Sequence, residues 1–271
     1  MMPEATGYEP LNTLKPVADG LWLIDGPAIR FMGLPFSTRA TVVRLANGDL
    51  WVHSPTRLTE GLRQELTALG PVQHLIAPNW LHYTHIADWQ AAWPKAKVWA
   101  APGVVERAAK QGLSLHIDHD LQWNRAESPW AGQIHQIIVR GSKTHREAVF
   151  FHSASETLIL TDLVQAFETS KLPVWMRPIV WLAGIDDSDG AMPPDMRWTF
   201  RDKTALAEDV ELMIDWAPKR VILAHGRWYE ANGTAELERA FRKLLQPRLW
   251  DRALGDMKAR KARAEHDDTG A

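Results

Sequence analysis

The chain has 271 residues, with 31 Lys and Arg against 33 Asp and Glu, and it contains no cysteine. The near-balance of charge gives no broad basic surface for nucleic acid, and the lack of thiols excludes disulfides and leaves His, Asp and Glu as the ligands of any metal site. The length and composition suit one large α/β domain. The first twenty residues do not resemble a signal peptide, and no apolar run reaches the roughly 20 residues that span a bilayer, so we expect a cytoplasmic protein without a transmembrane segment.

The first half of the chain predicts strands followed by alternating strands and helices. Residues 1–16 contain Pro and Gly without periodicity and are expected to form a loose leader. An Asn47-Gly48 turn predicts an antiparallel hairpin, Thr59 is a helix cap, and Gly70 ends that helix. The predicted strands are Leu21–Ile24, Ala40–Leu45, Leu50–His53, Val72–Ala77 and Lys97–Ala100, and further helices are expected through Trp93 and over Val104–Gln111.

The second half repeats this pattern, with three strands in succession before its helices. Residues 164–199 combine prolines and tryptophans without a clean period, which is typical of a functional loop or lid. The predicted strands are Gln133–Val139, Glu147–Phe151, Thr157–Thr161 and Arg220–Ala224, and the helices are Asp202–Trp216 and Ala235–Leu249. The charged residues 250–271 predict a partly disordered tail. We therefore expect a single domain over residues 17–249.

Histidine and aspartate residues follow several predicted strands, which is where the catalytic groups of layered α/β folds commonly lie. The stretch Asn79-Trp80-Leu81-His82-Tyr83-Thr84-His85 follows one strand, Asp162 follows another, and His225 follows the last. The stretch resembles the His-x-His-x-Asp-His motif of the metallo-β-lactamase superfamily. Other phrases resemble an uncharacterised branch of that superfamily, namely Leu50–Pro55, Ile76–Asn79, Glu147–His152, Thr157–Leu163 and Leu223–Gly226.

The resemblance implies an α/β (α+β) protein built as a four-layer αββα sandwich over roughly residues 17–245. It also implies a site for two metal ions, usually zinc, which activate water for hydrolysis of a small-molecule substrate. Carried onto this chain, it assigns metal ligation to His82, His85, Asp162 and His225, with His145 two residues from the position expected of the remaining histidine.

The sequence departs from the superfamily motif at residues that would do the chemistry. Trp80 stands where the first histidine is expected, Thr84 replaces the motif aspartate, and Lys143 holds the counted position of the strand histidine. His53-Ser54-Pro55 replaces an aspartate that usually ends an early strand. These substitutions make the site degenerate.

The main hypothesis is a hydrolase with a reduced site that holds one zinc ion. His85, Asp162 and His225 form one set of three ligands, and His82, Asp162 and His145 form a weaker set. His82 or Asp88 is expected to assist proton transfer, because a helix that begins near His85 would place Asp88 on the same face. The sequence gives no indication of the oligomeric state.

Two alternatives remain open. The first is a metal-free relative that binds a small apolar ligand or a partner, with Trp80 filling the space of an ion and the histidines serving as hydrogen-bonded strand-end residues. The second is docking to a membrane surface or a partner through the apolar segment Leu172–Leu182. A serine hydrolase or nucleotide-binding function is disfavoured because the corresponding motifs are missing from the sequence.

Overall fold

The structure, a computed structural model, describes residues 8–31 and 34–248. In this part of the chain the first half forms a seven-stranded sheet in which neighbours in sequence are neighbours in space. Its strands pair antiparallel from the first to the fourth and parallel from the fourth to the seventh. The elements are β1 (Lys15–Ala18), β2 (Leu21–Phe31), β3 (Leu34–Arg44), β4 (Leu50–His53), α1 (Glu60–Leu69), β5 (Val72–Ala77), α2 (Ile86–Ala92), β6 (Lys97–Ala100), α3 (Val104–Lys110) and β7 (His119–Asp120).

The second half forms a four-stranded sheet. Its elements are β8 (Ile134–Ile138), β9 (Ala148–His152), β10 (Thr157–Ile159), α4 (Arg177–Ala183), α5 (Pro194–Thr199), α6 (Lys203–Asp215), β11 (Arg220–Ile222) and α7 (residues 233–248). The order is β11-β10-β9-β8, and only the β10–β11 pair is parallel. This parallel pairing brings the residues that follow β10 and β11, including Asp162 and His225, to the same edge of the sheet.

Side chains alternate between two faces along each strand and so divide the core into layers. On β4, Trp51 packs between the two sheets, whereas Leu50 and Val52 pack against the helices of the first half. On β9, Phe150 faces the same central layer, and Val149 and Phe151 pack against α6 and α7. Apolar residues of both sheets meet in the middle, and helices cover both outer faces. The predicted αββα sandwich is confirmed.

The strands β5 and β6 have the predicted bounds, and Thr59 caps α1 by accepting a hydrogen bond from the Leu62 amide. The largest difference in the first half is the length of β2 and β3, which form a hairpin that extends far beyond the predicted apolar runs. The outer parts of these strands were not predicted because they carry polar and proline residues. The predicted loop over residues 164–199 contains the short helices α4 and α5. Proline at the first turn of each helix and a left-handed Gly184 after α4 explain how these helices form without a longer apolar period.

The described part of the N-terminal segment is held against the first sheet. The Thr13 hydroxyl and the Leu14 amide donate to the Glu65 carboxylate over 2.7 Å, and the Asn12 amide donates to the Asp25 carbonyl over 2.8 Å. Residues 8–14 therefore contact the domain, in contrast to the loose leader expected from composition. Residues 1–7 and the predicted tail over 250–271 lie outside the described residues.

Candidate metal centre

Asp162 is the centre of a buried cluster of polar side chains at the edge formed by β10 and β11. Its Oδ2 lies 3.2 Å from His82 Nε2 and accepts a hydrogen bond from Asn79 Nδ2 over 2.8 Å, and its Oδ1 lies 3.1 Å from His225 Nε2. Burial acts to raise the pKa of Asp162, but the charges and hydrogen bonds of the two histidines outweigh burial and hold that pKa well below its usual value. Asp162 is therefore a carboxylate at neutral pH.

His225 has one ring nitrogen occupied by the backbone. Its Nδ1 lies 2.6 Å from the Ser37 carbonyl oxygen, an atom that can only accept, so Nδ1 carries a proton. In the neutral ring Nε2 then has a lone pair, which is directed at the Asp162 carboxylate. Two acceptors at this distance in a buried site repel each other unless a cation lies between them or the ring is protonated. The geometry therefore calls for positive charge at His225 Nε2.

His82 is oriented by Ser54, whose hydroxyl lies 2.7 Å from His82 Nδ1. A serine hydroxyl can donate or accept, so it is compatible with either tautomer of the ring. Burial acts to lower the pKa of His82, but the carboxylates of Asp162 and Glu147 outweigh burial and raise it. His53-Ser54-Pro55, which departs from the superfamily pattern, thus has a structural role, because its Ser54 orients His82.

Two buried residues that the sequence analysis did not single out as site residues position this cluster. Glu147, which has no exposed surface, accepts hydrogen bonds from the backbone amides of Thr161 (2.7 Å), Asp162 (2.9 Å) and Leu163 (3.1 Å). Asn79 donates to Asp162, and its Oδ1 accepts from the backbone amide of His82 over 3.1 Å. Glu147 therefore fixes the loop after β10, and Asn79 connects that loop to the turn after β5.

His145 is fully hydrogen bonded within the protein. Its Nδ1 accepts from the indole Nε1 of Trp80 over 3.2 Å, so Nε2 carries the proton and donates to Glu147 Oε2 over 3.3 Å. Trp80, which stands in the position of the first motif histidine, thus supplies a donor where the superfamily pattern has a ligand. Because Nδ1 accepts from Trp80 and Nε2 carries a proton, neither ring nitrogen of His145 has a free lone pair for a metal ion.

A buried ion pair of the first sheet supports the loop that carries His225. Arg39 pairs with Asp25 over 2.8 Å, and its Nη1 donates to the carbonyls of Leu223 (2.5 Å) and Gly226 (3.0 Å). Both sheets therefore contribute to the position of the His225 ring, because Arg39 lies on β3 and His225 follows β11.

Within the part of the chain that the structure describes, two groups of side chains bring metal-binding atoms within 4.8 Å of one another. They are His82, Asp162 and His225, and His145, Glu147 and Asp162. A family model described as a domain of unknown function, DUF4336, matches residues 19–196. The chain belongs to the DUF4336 family.

Solved structures show which fold this DUF4336 protein has. A metallo-β-lactamase from Hirschia baltica superposes with a TM-score of 0.58 at 13% sequence identity, covering 85% of this chain and 96% of that one. The metallo-β-lactamase FIM-1 from Pseudomonas aeruginosa, in its mono-zinc form, gives 0.57 at 11% identity, covering 90% and 97%, and a metallo-β-lactamase from Pontibacter korlensis gives 0.57 at 13%, covering 85% and 97%. No curated protein matches the sequence. The DUF4336 chain thus has the metallo-β-lactamase fold.

The structure does not bring every predicted site residue of the DUF4336 protein together. His85 precedes α2 and lies 3.6 Å from Asp88, whose side chain is 71% exposed, and neither residue belongs to the two buried groups. Thr84 is exposed. The turn after β5 instead directs His82 at Asp162, because the Asn79 side chain accepts from the His82 amide and holds the turn at that residue. The predicted set of three was His85, Asp162 and His225. In the structure His82, and not His85, lies next to Asp162 and His225.

The start of the segment over residues 164–199 packs close to His225. Phe36 packs edge-on against His225 and Phe167, each with ring centroids 5.2 Å apart, and Phe167 begins a small apolar cluster beneath α4. The nearby space between Ser37 and Leu172 has a volume of only about 20 Å³. The His225 side chain is therefore shielded from solvent and is only 6% exposed.

The outer face of the same segment is apolar. Its exposed large side chains are Val174, Trp175, Ile179, Trp181, Leu182 and Trp198. The tryptophans thus lie outside rather than around a pocket, and docking through Leu172–Leu182 stays a prediction. Among the described residues no helix has the length and apolar character to cross a membrane.

Proposed function

We propose that the protein is a metal-dependent hydrolase that holds one divalent ion, zinc in the first instance, between His82, Asp162 and His225. The observation that carries this proposal is the orientation of His225, whose protonated Nδ1 is bound to the Ser37 carbonyl while Nε2 is directed at the Asp162 carboxylate 3.1 Å away. A metal ion satisfies both facing groups at once. A backbone carbonyl on the far nitrogen is also the partner that orients metal-binding histidines in known sites.

The donor set fits zinc. Two imidazole nitrogens and one carboxylate make up a sufficient set for a catalytic zinc ion. Ligands in a tetrahedral zinc site are separated by about 3.4 Å, given zinc–ligand distances of about 2.0–2.2 Å, and the two nitrogen–oxygen separations here are 3.1 and 3.2 Å. The two separations are measured to different oxygens of Asp162, and one ligand atom from each of the three residues lies within 4.8 Å of the others. The mono-zinc FIM-1 structure supports this proposal, because it is an example of the fold with a single zinc ion.

The second group supports one ion rather than two. His145 is closed by its hydrogen bonds to Trp80 and Glu147. The Glu147 carboxylate is already an acceptor for three backbone amides. A second ion there would have to displace a proton and a set of buried hydrogen bonds, each of which costs about 1–3 kcal/mol when left unmade.

A zinc ion at the first group would polarise a substrate oxygen and lower the pKa of water toward neutrality. The residues of the chain supply orientation and exclusion of solvent. Ser37 and Ser54 fix the two rings, Glu147 holds the loop of Asp162, and Phe36 and Phe167 cover the site with apolar surface. Asp88 is too exposed and too closely associated with His85 to support a role in proton transfer, so we assign none to it.

Metal content tests the proposal directly. Protein freed of any affinity tag is loaded with zinc or manganese, desalted and measured by mass spectrometry of the metal. We expect about one equivalent for the unaltered chain and less than about a tenth for His225→Ala, with His116→Ala as the control because that side chain is 75% exposed and outside both groups. Less than about a tenth of an equivalent in the unaltered chain overturns the proposal.

A second function is favoured by one observation, the hydrogen bond from Trp80 to His145 in place of a metal ligand. In a metal-free relative, a protonated His225 or His82 would neutralise Asp162, and the cleft beside residues 164–199 would widen to bind a small apolar ligand or a partner. The loading experiment distinguishes the two, because a metal-free relative binds no stoichiometric ion and its Asp162 environment is unchanged by zinc. Nuclear magnetic resonance of the histidine side chains reports whether zinc changes the environment of Asp162.

A further inference from the structure

A cavity among the helices that cover the outer face of the second sheet is lined by an excess of positively charged side chains. It has a volume of about 470 Å³ and lies between the segment of α4 and α5 and the helices α6 and α7. This size falls within the range of about 300–1,000 Å³ for pockets that hold small molecules. His82, Asp162 and His225 do not line it, so it is separate from the candidate metal centre.

The walls of the cavity are apolar at their base. Met192, Leu206, Ala207 and Phe241 line it, and each is at most 4% exposed. An apolar base of this kind favours a ligand with a hydrocarbon or ring body, because burial of such a body contributes about 25 cal/mol for each Å² removed from water.

Basic side chains surround the same space. Of the described residues that line it, five are basic and one, Asp189, is acidic; the basic ones are Arg197, Lys203, Arg242, Lys243 and Arg248. Arg242 is paired with Asp189 over 2.9 Å and Arg248 with Glu211 over 3.0 Å. Within the described ranges Arg197, Lys203 and Lys243 have no carboxylate partner within 4.0 Å. Since the whole chain has a net charge of −2, this local excess is not a consequence of a basic composition.

Lys203 is repelled by neighbouring positive charges. Burial lowers the pKa of Lys203, and the positive charges of Arg197 and Arg201 lower it further. Its ammonium group donates only a long contact of 3.4 Å, to the Arg197 carbonyl. A bound anion would relieve this repulsion and supply the missing acceptor.

We infer that this cavity binds an amphiphilic anion, a phosphate or carboxylate group joined to an apolar body. The anionic group contacts Arg197 and Lys203, with Lys243 nearby, and the apolar body lies against Met192 and Phe241. The chemistry is shared by a soluble metabolite and by the headgroup of an anionic lipid. The inference does not depend on the proposed metal centre.

Calorimetric titration of the full chain with octyl phosphate, inorganic phosphate and octanol tests the inference. We expect octyl phosphate to bind at least about tenfold more tightly than either of the other two, because only it offers both parts of the ligand. Equal affinity for octanol would overturn the anionic part of the inference, and equal affinity for inorganic phosphate would overturn the apolar part. No binding of any of the three would overturn it entirely.

Two kinds of variant locate the binding. The double variant Arg197→Gln, Lys203→Gln should weaken octyl phosphate by at least about tenfold, whereas the control Lys110→Gln, which removes an exposed charge on α3, should not change it. Ala240→Leu narrows the cavity without altering charge and should also weaken binding, provided that its thermal unfolding matches that of the unaltered chain. Unchanged affinity in both the double variant and Ala240→Leu would show that octyl phosphate binds elsewhere and would contradict the inference.

Competition distinguishes the two ligand sources. Vesicles that contain phosphatidic acid are added to the complex with octyl phosphate. Displacement of octyl phosphate would indicate that the natural ligand is a lipid headgroup. Retention of octyl phosphate would indicate that the natural ligand is a soluble molecule.

Discussion

His225 faces Asp162 with the nitrogen that has no proton in the neutral ring, 3.1 Å from the carboxylate oxygen. This arrangement is unfavourable without a cation, and the simplest way to relieve it by mutation is Asp162→Asn. The new amide can donate to His225 Nε2 while its oxygen continues to accept from Asn79 and His82. We therefore expect metal-free Asp162→Asn to be at least as stable as the metal-free unaltered chain, with zinc affinity reduced by at least about 100-fold.

Denaturant unfolding of the two metal-free proteins checks the stability, and competition with a chelator of known affinity checks the zinc binding. Retained zinc affinity in Asp162→Asn would show that the carboxylate is not a ligand. A large loss of stability in the metal-free variant would show that His225 or His82 is already protonated in the absence of metal and pairs with Asp162.

Asn79 connects the turn that carries His82 to the loop that carries Asp162, so Asn79→Ala should destabilise both. The substitution leaves the amides of Leu81 and His82 without their acceptor and Asp162 without a donor. Each buried polar group left unpaired costs about 1–3 kcal/mol, so we expect the free energy of unfolding to fall by about 2–4 kcal/mol. Asn47→Ala in the exposed turn before β4 is the matched control and should change stability by no more than about 0.5 kcal/mol. Equal effects of the two would mean that Asn79 has no special structural role.

Arg39 is a buried arginine whose removal affects His225 from a distance. Arg39→Met leaves Asp25 with Lys15 as its remaining partner and removes the donor to the Leu223 and Gly226 carbonyls. Breaking a buried pair in this way costs about 3–5 kcal/mol, and we expect zinc affinity to fall as well. The double variant Asp25→Asn, Arg39→Met should recover part of the stability. Arg30→Met, at an exposed position of β2, serves as the control, and a stability loss in it as large as in Arg39→Met would contradict this interpretation.

Buried histidines predict a loss of stability in acid. Burial, and secondarily the charge of His82, lowers the pKa of His53 to about 3, and burial also lowers the pKa values of His74 and His152. The unfolded chain binds these protons near pH 6.5 and the folded chain does not. The contribution of His53 to stability is therefore complete above about pH 6.5 and falls as the pH decreases toward 3, by up to about 1.4 kcal/mol per pH unit. His74 and His152 add losses of the same sign below about pH 6.5.

Unfolding measured from pH 7.5 to pH 4.5 checks this dependence. His53→Phe, which removes one titrating group, should flatten the curve, and His116→Gln at an exposed position should leave its slope unchanged. An identical slope in His53→Phe would indicate that His53 is protonated in the folded protein.

The sequence indicates the fold well because the apolar runs of β5 and β6 and the turn signals around them are local. The resemblance to the superfamily also predicts that Asp162 and His225 converge, and in the structure both follow strands of one sheet. It does not distinguish His82 from His85, because that choice depends on hydrogen bonds from Asn79 to the backbone of the turn. A motif match cannot show them.

Other parts of the site depend on contacts between distant residues. Glu147 lies at the start of a strand, where a carboxylate is ordinary, and nothing in its local pattern indicates that it accepts amides from the loop of Asp162. Arg39 and Asp25 likewise lie on two paired strands, and only the packing of the second sheet shows that Arg39 supports His225. The helices of residues 164–199 were not predicted because proline sets their first turns and their outer faces are apolar.

Anomalous scattering from a crystal of zinc-loaded protein, measured above and below the zinc absorption edge, tests the central claim most directly. We predict one anomalous peak within coordination distance of His82 Nε2, Asp162 and His225 Nε2, about 2.0–2.2 Å from each, and none between His145 and Glu147. A peak at His85 and Asp88 instead, or no peak among the buried histidines at full zinc loading, would contradict it.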